Sequence, residues 1–206
     1  MAQMTLYSMP SSGNSYKVRL LLAFLGQDYT HVACETGSDA IATAKAAGKV
    51  PLGKVPVLHL PDGRVLNESN AILWYLGAGT DCVPAEPFAQ AQLLSWMFFE
   101  QNRHESVIAV RAALLCYPAR AHLATPERLA ALLEDGYAIL TLMEEELAGQ
   151  NWFCGDSATI ADIALYGYTC TADTRGGYDM TRFPNITAWC ARMTALPGYV
   201  TLGHAP

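Results

Sequence analysis

Apolar and polar positions follow one rhythm up to about residue 79 and another beyond it. Thr5 to Ser8 is a short β-prone run, and Pro10-Ser11-Ser12-Gly13-Asn14 behind it is dense in turn formers. Val18, Leu21, Leu22 and Leu25 then recur at i, i+3, i+4 and i+7, which predicts a helix closed by Gly26. Tyr29 to Ala33 reads as a second strand, and the alanine-rich Asp39 to Ala47 as a helix ending at Gly48. Pro56 to Leu60 and Arg64 to Leu66 flank Pro61-Asp62-Gly63 and predict a hairpin. Beyond Glu68-Ser69, the residues Ile72, Tyr75 and Leu76 share a helical face, with Ser69 the expected N-cap. Residues 4–78 therefore read β-α-β-α-β-β-α.

Gly77 to Asp81, with Pro84 and Pro87, predicts a linker over 79–87. Helical spacing dominates the rest of the chain. One long helix is expected over 86–116 and another over 126–148, where Leu129, Leu132, Leu133, Tyr137 and Leu140 form a face. Two more are expected over 159–171 and 184–196, the last carrying Ile186, Trp189, Cys190 and Met193. The predicted plan is a small α/β domain, 1–78, and an all-α helical bundle, 88–206.

Composition removes several classes of function. The 206 residues are 51% hydrophobic and 16% charged, an ordinary globular mix. Net charge is −6 and no basic run occurs, which argues against nucleic acid as a partner. The longest apolar runs are broken by charge well short of the roughly 20 residues of a membrane span. The charge is uneven: residues 1–78 carry six basic and five acidic side chains, +1, and the remainder carries −7. A small anionic ligand therefore suits the first domain better. The six cysteines form no CxxC pair and no zinc-finger spacing, so no metal is expected. The start, Met1-Ala2-Gln3-Met4, shows no signal peptide, and free thiols in a reducing cytoplasm are the expectation.

Several short motifs carry candidate chemistry. Gly48 to Val55 nearly matches a phosphate-binding loop, but Val55 replaces the hydroxyl that holds magnesium, and Pro56 forbids the helix that should come next. The same stretch, Gly53-Lys54-Val55-Pro56, enters a strand. A cis proline there would expose backbone groups to an extended peptide, and an ordinary strand-start proline is the plainer alternative. Glu68-Ser69 lies at a helix N-terminus, which favours a carboxylate ligand, with Glu68 able to receive an ammonium group beside it. A simple cap and a solvated acid would look the same. Ser11, Ser12, Asn14 and Ser15 precede the first helix, where a hydroxyl donor and the helix dipole can hold an anion. Lowering a thiol pKa by two units takes roughly 2.7 kcal/mol, the size of one charge-assisted hydrogen bond. Turn and cap chemistry is the plainer alternative here too. Thr159-Ile160-Ala161-Asp162 reads as a structural capping box. Asn102-Arg103-His104-Glu105 is a polar patch on the long helix, solvated or interhelical by default and a pocket wall otherwise.

In this order and at these spacings, the residues resemble the cytosolic glutathione transferase family over nearly the whole chain. Ser12 five residues before Lys17-Val18, then Val55-Pro56, Glu68-Ser69, the proline-bearing linker and Thr159 to Asp162 carry the resemblance. It implies a thioredoxin-like first domain, an all-helical second domain, and glutathione as co-substrate. Ser12 would then be the catalytic thiolate stabiliser, with Ser11 the fallback, Asn14 assisting, and Tyr7 a weaker alternative. Val55 and cis Pro56 would hold the cysteinyl part, and Glu68 and Ser69 the γ-glutamyl end. The family often has Asn-Pro before Gly-x-Val-Pro, where this chain has Val50-Pro51, and Lys54 is the choice for the glycyl carboxylate. Met9, Phe99, Arg103, His104 and Val107 would line the site for a small hydrophobic electrophile. The resemblance further implies a homodimer. It leaves open a glutathione-dependent reductase, isomerase or dehalogenase, and a non-catalytic glutathione-binding module.

Overall fold

The computed structural model describes residues 3–204. The chain divides into two compact units, one formed by Met1–Val83 with Ala195–Pro206, the other by Pro84–Thr194.

The first unit is a four-stranded mixed sheet with helices on both faces. Strands β1 (Met4–Ser8), β2 (Tyr29–Ala33), β3 (Val57–His59) and β4 (Val65–Asn67) lie in the order β2-β1-β3-β4. β1 runs parallel to β2 with Leu6 opposite His31, and antiparallel to β3 with Leu6 opposite Leu58. Helices α1 (Gly13–Phe24), α2 (Asp39–Ala46) and α3 (Ser69–Gly77) complete the thioredoxin-like β-α-β-α-β-β-α pattern that the periodicity predicts. Strand alternation sorts the side chains. Leu6 and Leu58 join Val18 and Leu22 of α1 and Ile72 of α3 in one core. Tyr7 and Val57 join Ile41 and Ala44 of α2 in the other. Burying each large aliphatic side chain stabilises the unit by about 1.5–3 kcal/mol relative to exposure.

Local chemistry sets the ends of these elements. Ser12 and Ser38 cap α1 and α2. At the end of α1, Gly26 takes a positive φ of 59°, and its N–H and that of Gln27 bond back to Ala23 and Leu22, a Schellman closure. The hairpin closes where Gly63 N–H meets Leu60 O at 3.0 Å, with Pro61 and Asp62 between them.

The second unit is all helical: α4 (Pro87–Phe99), α5 (Val110–Cys116), α6 (Pro126–Glu146), α7 (Ile160–Thr169) and α8 (Pro184–Thr194), with two short 3₁₀ turns. The long helix expected over 86–116 is not uniform. Its middle, Glu100–Ala109, is a π-helix. Inside it the Ser106 hydroxyl sits 3.0 Å from both the Asn102 and Arg103 carbonyls, and such back-bonding competes with the α-helical ladder. Helix α7 starts with the expected capping box. Asp162 accepts from Thr159 N–H at 2.9 Å, and Thr159 accepts from Ala161 N–H. Asp162 also receives Phe153 N–H at 3.1 Å and the Trp189 indole N–H at 3.0 Å, tying α7 to α8.

One boundary differs from the sequence reading. The helical domain was expected to run through residue 206, but α8 ends at Thr194, and Ala195–Pro206 belongs with the first unit. The reason is a set of contacts to α1: Tyr16 Oη donates to Val200 O at 2.7 Å, and Arg19 donates to Leu202 O at 2.7 Å.

Candidate functional site

The turn before α1 brings together the candidates Met9, Ser11 and Ser12, with Asn14 in the first turn of the helix. Met9-Pro10-Ser11-Ser12 forms a β-turn closed by Ser12 N–H to Met9 O at 3.1 Å, with Pro10 presetting its second position. Three neighbours hold it. Ser15 Oγ accepts Met9 N–H at 2.9 Å. Glu35, just beyond β2, accepts the Ser11 hydroxyl at 2.8 Å. Buried Arg19 donates to the carbonyls of Met9 and Pro10.

This arrangement separates the two serines. The Ser11 proton goes to Glu35, so Ser11 is poorly placed to serve as an anion donor. Ser12 is half-buried, and its Oγ accepts Ser15 N–H at 3.4 Å, a weak cap. Its own proton is donated to nothing among the described residues. Asn14 joins α1 to α3: its Oδ1 accepts the buried Lys17 ammonium at 2.7 Å and the buried Ser69 hydroxyl at 3.0 Å. Met9 is half-buried, with its sulfur 3.4 Å from the Thr36 hydroxyl.

The bond between Val55 and Pro56 is cis. Pro56 is buried, and the β3–β4 ladder begins only at Val57, so the Val55 backbone lies outside the pairing. Lys54 is exposed. At α3, Glu68 rather than Ser69 occupies the N-cap position, and Ser69 is the first helical residue. Glu68 holds φ 65° and ψ 119°, the one positive φ among the described non-glycine residues. That conformation costs about 1–3 kcal/mol, and such strain concentrates at ligand-holding sites. The Glu68 side chain makes no cap bond and is exposed, while the first helical bond runs from Ile72 N–H to Glu68 O. The N–H groups of the turn before it point out of the helix end.

Tyr7 belongs to the α2 side of the sheet, tilted against His59 with ring centroids 5.0 Å apart. On the opposite face Ser8 is fully buried, 2.7 Å from His31 Nε2 and 3.1 Å from Arg19. Burial, and then the Arg19 charge, hold the His31 imidazole below its usual range. Burial likewise lowers Arg19. The sequence reading missed Arg19, Glu35 and His31. Arg19 left one signal, a charge inside the apolar run of α1.

Among the four helical-unit candidates, two lie together: Arg103 is exposed and stacks over the Phe99 ring at 5.4 Å. Val107 is half-buried. His104 departs from its expected place in a pocket wall. It is fully buried, with Nε2 2.9 Å from Thr169 Oγ1, and since that hydroxyl donates to Leu165 O, the imidazole is the donor. It braces the π-helix against α7.

Five of the six protein thiols are poorly suited to act as nucleophiles, and the sixth, Cys116, is exposed on the helical unit. Burial pushes up Cys34, Cys82 and Cys190, and pushes Cys154 and Cys170 up to about 12. Among the described residues, no group of His, Cys, Asp or Glu is placed to hold a metal ion, and no helix is long and apolar enough to cross a membrane.

Comparison with known proteins adds a family. The profile of the glutathione S-transferase N-terminal domain matches residues 6–80, and that of the C-terminal domain matches residues 107–197. The crystal structure of a possible glutathione S-transferase from Rhodopseudomonas palustris is 43% identical, with a TM-score of 0.92 over 99% of this chain and 100% of that one. Glutathione S-transferase 3 of Zea mays is 29% identical over 97% of this chain and 92% of its own length. Elongation factor 1-gamma of Drosophila melanogaster is 26% identical over 92% of this chain, but the match spans only 43% of that protein's length.

Proposed function

This chain belongs to the glutathione S-transferase family, and from that premise we propose that it joins the thiol of glutathione to small hydrophobic electrophiles. The γ-glutamyl carboxylate would sit on the N–H groups at the start of α3 beside Ser69, with the Glu68 carboxylate receiving its ammonium group. The backbone of Val55 would pair with the cysteinyl part, and Lys54 would receive the glycyl carboxylate. Phe99, Arg103 and Val107 of the helical unit remain the choice for the electrophile.

The observation that carries the reading is the unspent proton of Ser12 at the head of α1. Donated to a thiolate, it supplies a charge-assisted hydrogen bond of about 1.5–3 kcal/mol, enough to lower a thiol pKa by one to two units. Asn14 steadies the head of α1 from the α3 side. The thiolate then attacks the electrophilic carbon, a C–S bond forms, the leaving group departs with its electron pair, and the thiol proton has already passed to solvent. Orientation and thiolate stabilisation supply the catalysis, with no covalent enzyme intermediate.

Ser12→Ala tests this. Turnover of a generic aryl halide should fall roughly ten- to a hundredfold in kcat/KM, with retention on immobilised glutathione kept. Unchanged kinetics overturn the assignment. A homodimer in the cytoplasm is part of the same proposal. A second reading, a non-catalytic glutathione-binding module, is favoured by the match to an elongation factor. Retention on glutathione with no turnover across electrophiles selects it. Reduction, isomerisation or dehalogenation would show as activity in a disulfide-exchange, isomerase or halide-release assay where conjugation is absent.

A further inference from the structure

Arg19 is 1% exposed, and among the described residues no carboxylate forms a salt bridge with it, although the Glu35 charge acts on it from a distance. Its hydrogen bonds all go to neutral oxygens. One terminal nitrogen donates to Ser8 Oγ at 3.1 Å and Met9 O at 3.2 Å, the other to Pro10 O at 2.9 Å and Leu202 O at 2.7 Å. All four terminal N–H bonds are thereby committed, and Nε has no partner. A buried guanidinium in this state loses heavily if an acceptor withdraws, because a buried charge left with an unpaired N–H is costly.

Three of the four acceptors belong to the strand end and turn that lead into Ser12. The fourth belongs to the far end of the chain. Met9 O is the pivot, since it accepts both Arg19 and the Ser12 N–H that closes the turn. The tail is seated on α1 at two further points. Tyr16 Oη bonds Val200 O at 2.7 Å, and Gly198, at φ 80°, passes so close that an added Cβ would stand 2.8 Å from Ala23 O.

We propose that Arg19 and the tail act together as a positioning clamp: the Leu202 carbonyl fixes the guanidinium, and the guanidinium fixes the Met9–Ser12 turn that aims the catalytic hydroxyl. Arg19 touches no substrate and is a positioning residue. The kinetic part of this inference rests on the transferase reading, whereas the mechanical part does not. A displacement of the order of 1 Å in a catalytic group costs on the order of a hundredfold in rate, so the clamp predicts loss in kcat more than in KM for glutathione.

The test uses two variants, a chain ending at Thr201, which removes the Leu202 acceptor and leaves Arg19 in place, and Arg19→Lys, whose single ammonium cannot span the four acceptors. Both are checked for folding by circular dichroism, and the truncated chain keeps the experiment decisive if the buried substitution does not fold. The first readout is hydrogen exchange at residues 9–16, which needs no activity. It should accelerate at least tenfold at the Ser12 amide. The second readout is the pH profile of conjugation. The apparent thiol pKa should rise and kcat should fall on the order of ten- to a hundredfold, with KM for glutathione within about twofold. Unchanged exchange in the truncated chain overturns the clamp. Faster exchange with an unchanged pH profile overturns its role in positioning Ser12. If the full chain conjugates nothing, the transferase reading has failed, and exchange alone decides the clamp.

Discussion

Replacing Asp162 should damage the helical unit more than any other single polar change. The carboxylate is fully buried and receives four hydrogen bonds, from Phe153 N–H, Thr159 N–H, the Thr159 hydroxyl and the Trp189 indole. Burial pushes its carboxyl up, and the donated bonds pull against that. Asp162→Ala strands three buried N–H donors, each costing about 1–3 kcal/mol, and relieves the burial of one charge. The net loss should be about 4 kcal/mol, a large share of the 5–15 kcal/mol typical of a native chain. At about 2–4 °C per kcal/mol for a chain of this size, the melting temperature should fall by roughly 8–16 °C. Asp162→Asn keeps one oxygen for Phe153 and Trp189 and turns an amide donor toward Thr159 N–H, so about half the loss is expected. Circular dichroism melts and urea midpoints measure both. A melting temperature within about 3 °C of the parent for the alanine variant, or an asparagine variant worse than the alanine one, would refute the reasoning.

Glu68→Gly removes the positive-φ strain and should stabilise the first unit by about 1 kcal/mol in urea unfolding, while weakening glutathione retention through loss of the carboxylate. Equal retention would remove Glu68 from the proposed binding site. Gly136→Ala, which by helix propensity alone should stabilise α6 by about 1 kcal/mol, should instead destabilise by about 1–3 kcal/mol. Its new Cβ would fall 2.2 Å from Tyr178 Oη, and that ring is held by its bond to Leu132 O and by Arg111 over its face. A raised thermal midpoint would show that Tyr178 moves aside freely.

Legibility in the sequence tracks the range of each interaction. Helix starts and stops were legible because a cap speaks to residues two or three positions away, as Ser12, Gly26 and Thr159 do. The hairpin was legible because Pro61-Asp62-Gly63 is a closed local unit. The sequence also singled out Val55-Pro56 as a site for a cis bond, and the bond is cis. The π-helix was not legible, since apolar spacing over 86–116 suits an α-helix and the back-bond of Ser106 carries no periodic signature. The separation of Ser11 from Ser12 depends on Glu35, more than twenty positions away. The displaced tail depends on Arg19 and Tyr16 reaching across most of the chain. His104 looked like a wall residue because a polar patch on a helix does not reveal which of its members turns inward. Residue type and local order thus nominate candidates, and distant partners decide how each one is held.

The first unit is discontinuous, and this has a consequence for the order of synthesis. By Asn67 the ribosome has made every strand of the sheet, and by Gly77 every helix that covers it. The carbonyl that completes the surroundings of Arg19 comes only after Pro84–Thr194 has been made. At about 5–20 residues per second, that interval lasts roughly 5–20 s. Throughout it, a paired sheet encloses a guanidinium that lacks one of its four acceptors. The nascent first unit is thus held short of its final state until the helices between have emerged, and a carbonyl made after them locks a turn made before them.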